Sequence, residues 1–351
     1  MKKFLSFLIF VVIAFSIISP ISSDENILYK LDEDYLFKDI SFDQNLNNLF
    51  LAGEIKGSNN SFIIKSKDGN YLREVIIDNF KVSKIINDKF SSVYAIGASE
   101  DNQNKIIKFT SGLNKRWETK IHFSDMDIIT SFIVNENQEV IVIGYSTFKR
   151  SSDSFIIRIN QNGEIISEKI LDISPYERPY KIIEDYEGNF YLTGESKDMN
   201  FDIFVCKLSN DFDVLWIDYY DNNNWVDGGL GLELVDGNLI AAGYSGKEGW
   251  YVFDTVFIEY SKEGNVTSFT RKSFSGGSDW VKEFKRNNDH YYLILIDLLT
   301  GKEYSMKLDY YFDVVKKVEI SKDEIPIKII KINNDIYFVF QKENVIFAQY
   351  L

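Results

Sequence analysis

The chain has 351 residues, 45% apolar and 15% aromatic content and only four prolines, which fits one large β-rich domain and excludes a chain dominated by disorder. Its net charge of −14 argues against sequence-independent binding to nucleic acid, because phosphates would be repelled. Two histidines and one cysteine are too few for a His- or Cys-built zinc or copper centre or for an internal disulfide.

Residues 1–23 read as a targeting segment. Lys2 and Lys3 form a positive start, Phe4 to Ile18 an apolar run, and Pro20 to Ser23 a small-residue end. Cleavage is expected near Ser22 or Ser23. The run is close to the lower limit for spanning a bilayer, so membrane association is expected only if the segment is retained as an anchor. It contains no cysteine to lipidate. The mature chain, 24–351, is expected as a single extracytoplasmic domain: periplasmic, on the cell surface or secreted.

ENILYKL, Glu25 to Leu31, is an isolated strand. After it a four-part unit recurs at intervals of roughly 50 residues, the period of propellers and solenoids. The clearest copy runs from Arg178 to Tyr220. KIIED is an apolar strand and EGN a turn; FYLTGES is a second strand, DIFVCKL a third and VLWIDYY a fourth. Four antiparallel strands make one propeller blade. Gly53, Gly97, Gly144, Gly194 and Gly243 take the same place in the second strand, where a side chain would crowd a neighbour. The sixth and seventh copies carry Leu295 and Phe340 there.

The third strand opens on a polar residue followed five places later by a long polar one, as in Gln103 to Lys108, Asp153 to Arg158 and Asp202 to Lys207. A turn residue followed by a solvated outer end accounts for this pattern. Cys206, in an apolar strand, reads as a small core residue.

The last unit lacks a fourth strand before Leu351, and ENILYKL lacks a blade. The expected fold is therefore all-β: a seven-bladed propeller of four-stranded antiparallel blades, with the N-terminal strand completing the last blade and removing two sheet edges.

The units resemble bacterial extracytoplasmic seven-bladed propeller repeats of the SBBP-like kind, with some likeness to delta-60 repeats. FYLTGES, Asp202 to Lys207, Trp216 and Trp117 after their turns, and SGGSDW at Ser275 to Trp280 carry the likeness. The resemblance implies fold and export, and no single activity.

No GxSxG elbow, phosphate loop, dinucleotide fingerprint or DxDxDG loop occurs, and KSKDGNYL at Lys65 to Leu72 reads as a hairpin turn. His122 and His290 are expected in a loop or at a strand edge. No cofactor is expected, and calcium has no motif behind it.

In a propeller the connector between blades and the loop between second and third strands open on one face. That face receives YDNNNWVDGG, SGKEGWYVFD and SGGSDW, bringing Trp225, Trp250 and Trp280 near Asp221, Asp227, Asp254 and Asp279, with Tyr219, Tyr220 and Tyr251 beside them. Aromatic faces beside acids and amides suit sugar rings or a protein hot spot. The competing reading packs each tryptophan between blades. A carboxylate pair for glycoside cleavage, or a cation among Asp221, Asp227 and Asp279, rests on the same residues.

The leading expectation is a monomeric, non-enzymatic binding module that recognises a protein or polysaccharide of the cell envelope through blades four to six. The alternatives are a carbohydrate-active hydrolase or lyase on that face, and a structural envelope protein without a discrete site.

Overall fold

The computed structural model describes residues 25–124, 127–148, 151–171, 173–174, 176–197, 200–223, 225–246, 252–332 and 334–351. They form seven four-stranded antiparallel sheets. The inner strands are Tyr35–Asp43, Phe80–Asn87, Asp127–Val134, Glu177–Glu184, Asp227–Val235, Asp279–Asn287 and Glu324–Ile332. Each contacts the inner strand of the next blade, and the seventh returns to the first, so the sheets stand as blades around a central channel. The leader and its cleavage site lie outside the described residues.

The ring closes as the sequence implies. Glu25–Lys30 is the outer strand of blade seven, pairing Ile27 with Phe347 and Lys30 with Val345. Leu31, buried at the end of this strand, donates its N–H to the Asn344 carbonyl at 2.7 Å and accepts the Asn344 amide at 3.0 Å.

Apolar side chains on both faces of each blade fill the inter-blade layers, as in the cluster joining Ile141 and Ile143 of blade three to Ile182, Leu192 and Phe204 of blade four. The first hairpins are set by Asx turns. Asp185 accepts from the Glu187 and Asn189 N–H groups, and Asp43, Asp88 and Asn135 do the same in blades one to three.

Every inner strand carries a β-bulge at one register position, between Phe37 and Asp39, Val82 and Lys84, Ile129 and Ser131, Pro179 and Lys181, Gly229 and Gly231, Val281 and Glu283, and Pro326 and Lys328. The extra residue bends the strand and re-aims the side chains beside it. The second-strand glycines explain themselves here. A Cβ on Gly53, Gly97, Gly144, Gly194 or Gly243 would lie 2.0–2.3 Å from the inner-strand carbonyl oxygen just before the bulge. Blades six and seven keep the bulge with Leu295 and Phe340 in that place.

The third-strand signature has a different role from the one expected. Lys108 and Lys207 are buried instead of solvated, lying over the rings of their cross-strand partners Tyr94 and Tyr191 at 5.0 Å. Several of these side chains tie blades together: Lys65 donates to the Ser111 carbonyl, Lys108 to Gln138 and Arg158 to Asn210. An ammonium that keeps a hydrogen bond and an aromatic face can leave bulk water.

Candidate functional site

The connectors and the second-to-third-strand loops do open on one face, but the residues gathered there divide into two groups. Asp227 and Asp279 each open an inner strand and are fully buried. Asp279 accepts from the Phe274 and Ser275 N–H groups at 2.7 and 2.9 Å, and Asp227 from Asn222 at 2.9 Å and Gly246 at 3.2 Å. Asp127 and Glu177 hold the equivalent position in blades three and four and grip their connectors in the same way. These four carboxylates are brackets that satisfy loop backbone donors which burial would otherwise leave unpaired. Burial pushes the Glu177 carboxyl up to about 7 and Asp227 up to about 6, because desolvation outweighs the donated hydrogen bonds.

Asp254 is also buried, paired with Arg271 Nε at 2.9 Å. Asp221 is exposed. Its carboxylate and those of Asp227 and Asp202 lie within 4.8 Å of one another. The sequence placed Asp279 in such a group, and the fold puts Asp202 there instead. Trp250 and Tyr251 lie outside the described residues.

Trp225 and Trp280 are half-buried. Trp225 backs onto Gly246, whose Cβ would stand 2.8 Å from its own. Trp280 stacks on Tyr244, with ring centroids 4.3 Å apart and planes at 22°, and meets Phe253 edge-on. Tyr219 is exposed with its hydroxyl on the Ile173 carbonyl, while Tyr220 stacks on Phe269. The remaining tryptophans are structural. Trp117 and Trp216 lie against Gly163 and Gly264 in the outer hairpin of the next blade and donate their indole N–H to Gln161 and Lys262 there.

Trp280 belongs to a ring that sequence reasoning missed. It is the second residue of its inner strand, and the same place is held by Leu36, Lys81, Ile128, Arg178, Gly228 and Ile325. These residues surround the mouth of the channel on the connector face. Leu36, Ile128 and Ile325 are 42%, 45% and 56% exposed, a high figure for large aliphatic side chains lying on one rim. The Arg178 guanidinium sits among the rings of Tyr145, Tyr176 and Phe201 at 5.4, 4.9 and 5.6 Å. Glu195 lies opposite it, accepting hydrogen bonds from Tyr180 at 2.9 Å and from Tyr244 at 2.5 Å. A continuous aromatic and charged wall thus runs from Tyr145 in blade three to Trp280 in blade six. Counting inner-strand positions from the bulge would have found the ring; an eye on tryptophan and aspartate did not.

Three solved structures give the scale of the likeness to known proteins. The β-propeller domain of Cps50 (Swd1) from Myceliophteria thermophila is 7% identical with a TM-score of 0.63, over 93% of this chain and 100% of that one. The likeness is one of fold. YCF48 bound to D1 peptide is 11% identical with a TM-score of 0.55, over 96% of this chain and 100% of that one. The dihydro-heme d1 dehydrogenase NirN in complex with DHE is 12% identical with a TM-score of 0.53; 82% of this chain matches, and it spans 57% of that one. No protein-family model and no curated protein matches the sequence. At these identities the likeness shows the propeller fold alone.

Proposed function

We propose that this chain is an exported binding module that takes a segment of another protein at the channel mouth on the connector face, with its centre on blades four to six. The observation that carries the reading is the rim itself: Leu36, Ile128 and Ile325 exposed in one register ring with Trp280 and Arg178. Exposed aliphatics beside an aromatic and an arginine are what protein hot spots are made of. The propeller bound to D1 peptide among the similar structures fits this reading. Export rests on Lys2, Lys3 and the apolar run after them, and the partner is accordingly a protein of the cell envelope.

A glycan is the second reading, favoured by the indole of Trp280 and by Asp221, exposed in the neighbouring connector. A carbohydrate-active enzyme draws no support from Asp227, Asp254 and Asp279, whose oxygens are occupied within the fold.

The test is a peptide-display selection on immobilised 24–351, with each selected peptide re-measured on Ile128→Asp and Trp280→Ala. Peptides that bind the parent and lose about ten-fold or more in affinity on both variants, a change of about 1.4 kcal/mol, support the proposal. Peptides indifferent to both variants, or a saturable tryptophan-fluorescence response to soluble polysaccharides alone, would overturn it.

A further inference from the structure

Below the rim the channel changes character. The residue after each bulge forms a second ring, made of Asp39, Lys84, Ser131, Lys181, Gly231, Glu283 and Lys328. It lies three residues in from the mouth, roughly 10 Å at strand rise. Two places further along, Glu233 and Lys285 face the channel as well.

The pairings within this set are unequal. Lys328 bonds both Asp39 oxygens, at 3.0 and 3.2 Å, and the Ile40 carbonyl. Lys285 pairs with Glu233 at 3.2 Å. Among the described residues Lys84 hydrogen-bonds only a neutral acceptor, the Thr130 carbonyl at 2.8 Å. Lys181 makes no hydrogen bond or ion pair among the described residues. Four ammonium groups thus share a confined channel with three carboxylates, two of which are already engaged, in a protein whose net charge is −14. A chain so acidic gains nothing in solubility from an internal excess of lysine. The neighbouring cations are felt: Lys285 first, and burial second, bring the Lys181 amine down to about 8, although Glu283 and Glu233 pull it the other way.

We infer that the channel binds a small oxyanion, a carboxylate or a phosphate, which Lys181 grips together with Lys84 and Lys285. Oxygen acceptors placed there would give Lys181 the partner it lacks and offset its repulsion with Lys285. The proposal stands on the channel ring alone and does not depend on what the rim binds. The anion has two sources, a free ion or the terminal carboxylate of a chain entering from the mouth.

The experiment titrates 24–351 with inorganic phosphate, and separately with a short glycine peptide as free acid and as amide. Ionic strength is held constant, and thermal midpoint and calorimetry are the readouts. A specific site gives a saturable rise in the midpoint, unlike the unsaturable effect of salting out. Lys181→Met is expected to weaken binding about ten-fold without lowering the midpoint of the anion-free protein, and Lys181→Arg, which restores the charge, to keep most of the affinity. Binding of phosphate assigns a free ion; binding of the free-acid peptide but not its amide assigns a chain end. No saturable response to any probe, or a response that Lys181→Met leaves intact, would overturn the inference.

Discussion

Gly194 and Arg178 stand so close across one hairpin that a Cβ on the glycine would lie 2.0 Å from the arginine carbonyl oxygen. This contact sits beside the bulge between Pro179 and Lys181. It links the repeat to the site, since the bulge is what turns both Tyr180 and Lys181 toward the channel side of the strand.

Gly194→Ala should therefore destabilise the domain by about 2 kcal/mol or more, the usual cost of overpacking a tight backbone contact. Gly112, whose Cβ would meet nothing nearer than 3.5 Å, supplies the control, and Gly112→Ala should be nearly neutral. Urea midpoints for the two variants check this. Equal effects would mean that the strand relaxes around the added methyl.

Removing residues 24–32 takes away the outer strand of blade seven and leaves the strand Val345–Tyr350 as an open edge. The truncated domain should melt well below the parent and aggregate on heating. Replacing the exposed Tyr311 side chain by Ser should do neither, since that ring projects from the outer turn of blade six. Thermal scans with light scattering separate the two, and an unchanged midpoint in the N-terminal truncation would remove the closure argument.

The carboxyls of Glu177 and Asp227, raised to about 7 and about 6, make stability pH-dependent. Both hold protons in the folded protein that the unfolded chain has already released, so stability is fully present below the unfolded values near 4 and is lost as pH rises through 6 to 7. Each group contributes on the order of 3 kcal/mol. Denaturant midpoints should fall between pH 5 and 8, and Glu177→Gln should flatten that slope. A parallel profile for the variant would show that its carboxyl titrates normally.

Trp216 and Trp280 should behave in opposite ways. Trp216 spans two blades, stacked near Tyr260 and seated on Gly264, so Trp216→Ala should cost about 2 kcal/mol or more. Trp280→Ala should cost less stability and weaken partner binding more, because part of its surface faces the channel mouth. Paired melting and binding measurements on the two variants test the division.

The blade count, the strand order and the closure were all readable from the sequence, because the second-strand glycine and the short apolar runs repeat visibly. The site was harder to read. Tryptophan and aspartate stand out by eye, yet Asp227 and Asp279 are brackets for loop backbone. Leu36, Ile128 and Ile325 look like any strand aliphatics until the ring places them together. Whether a side chain faces channel or core turns on the bulge, and a bulge adds a residue without leaving a composition signal. Lys181 is likewise unremarkable in KIIED, and its isolation shows only when its neighbours from blades two, six and seven are known.

Seating of the partner segment on the channel mouth can be read by site-specific photo-crosslinking of a selected peptide. A crosslinking residue at Ile128 or at Ile325 is predicted to capture it in high yield, and one at Tyr311, which is 73% exposed on the opposite face, to capture none. Capture at Tyr311 without capture at either rim position would place the peptide on the wrong face and rule out the channel mouth as its seat.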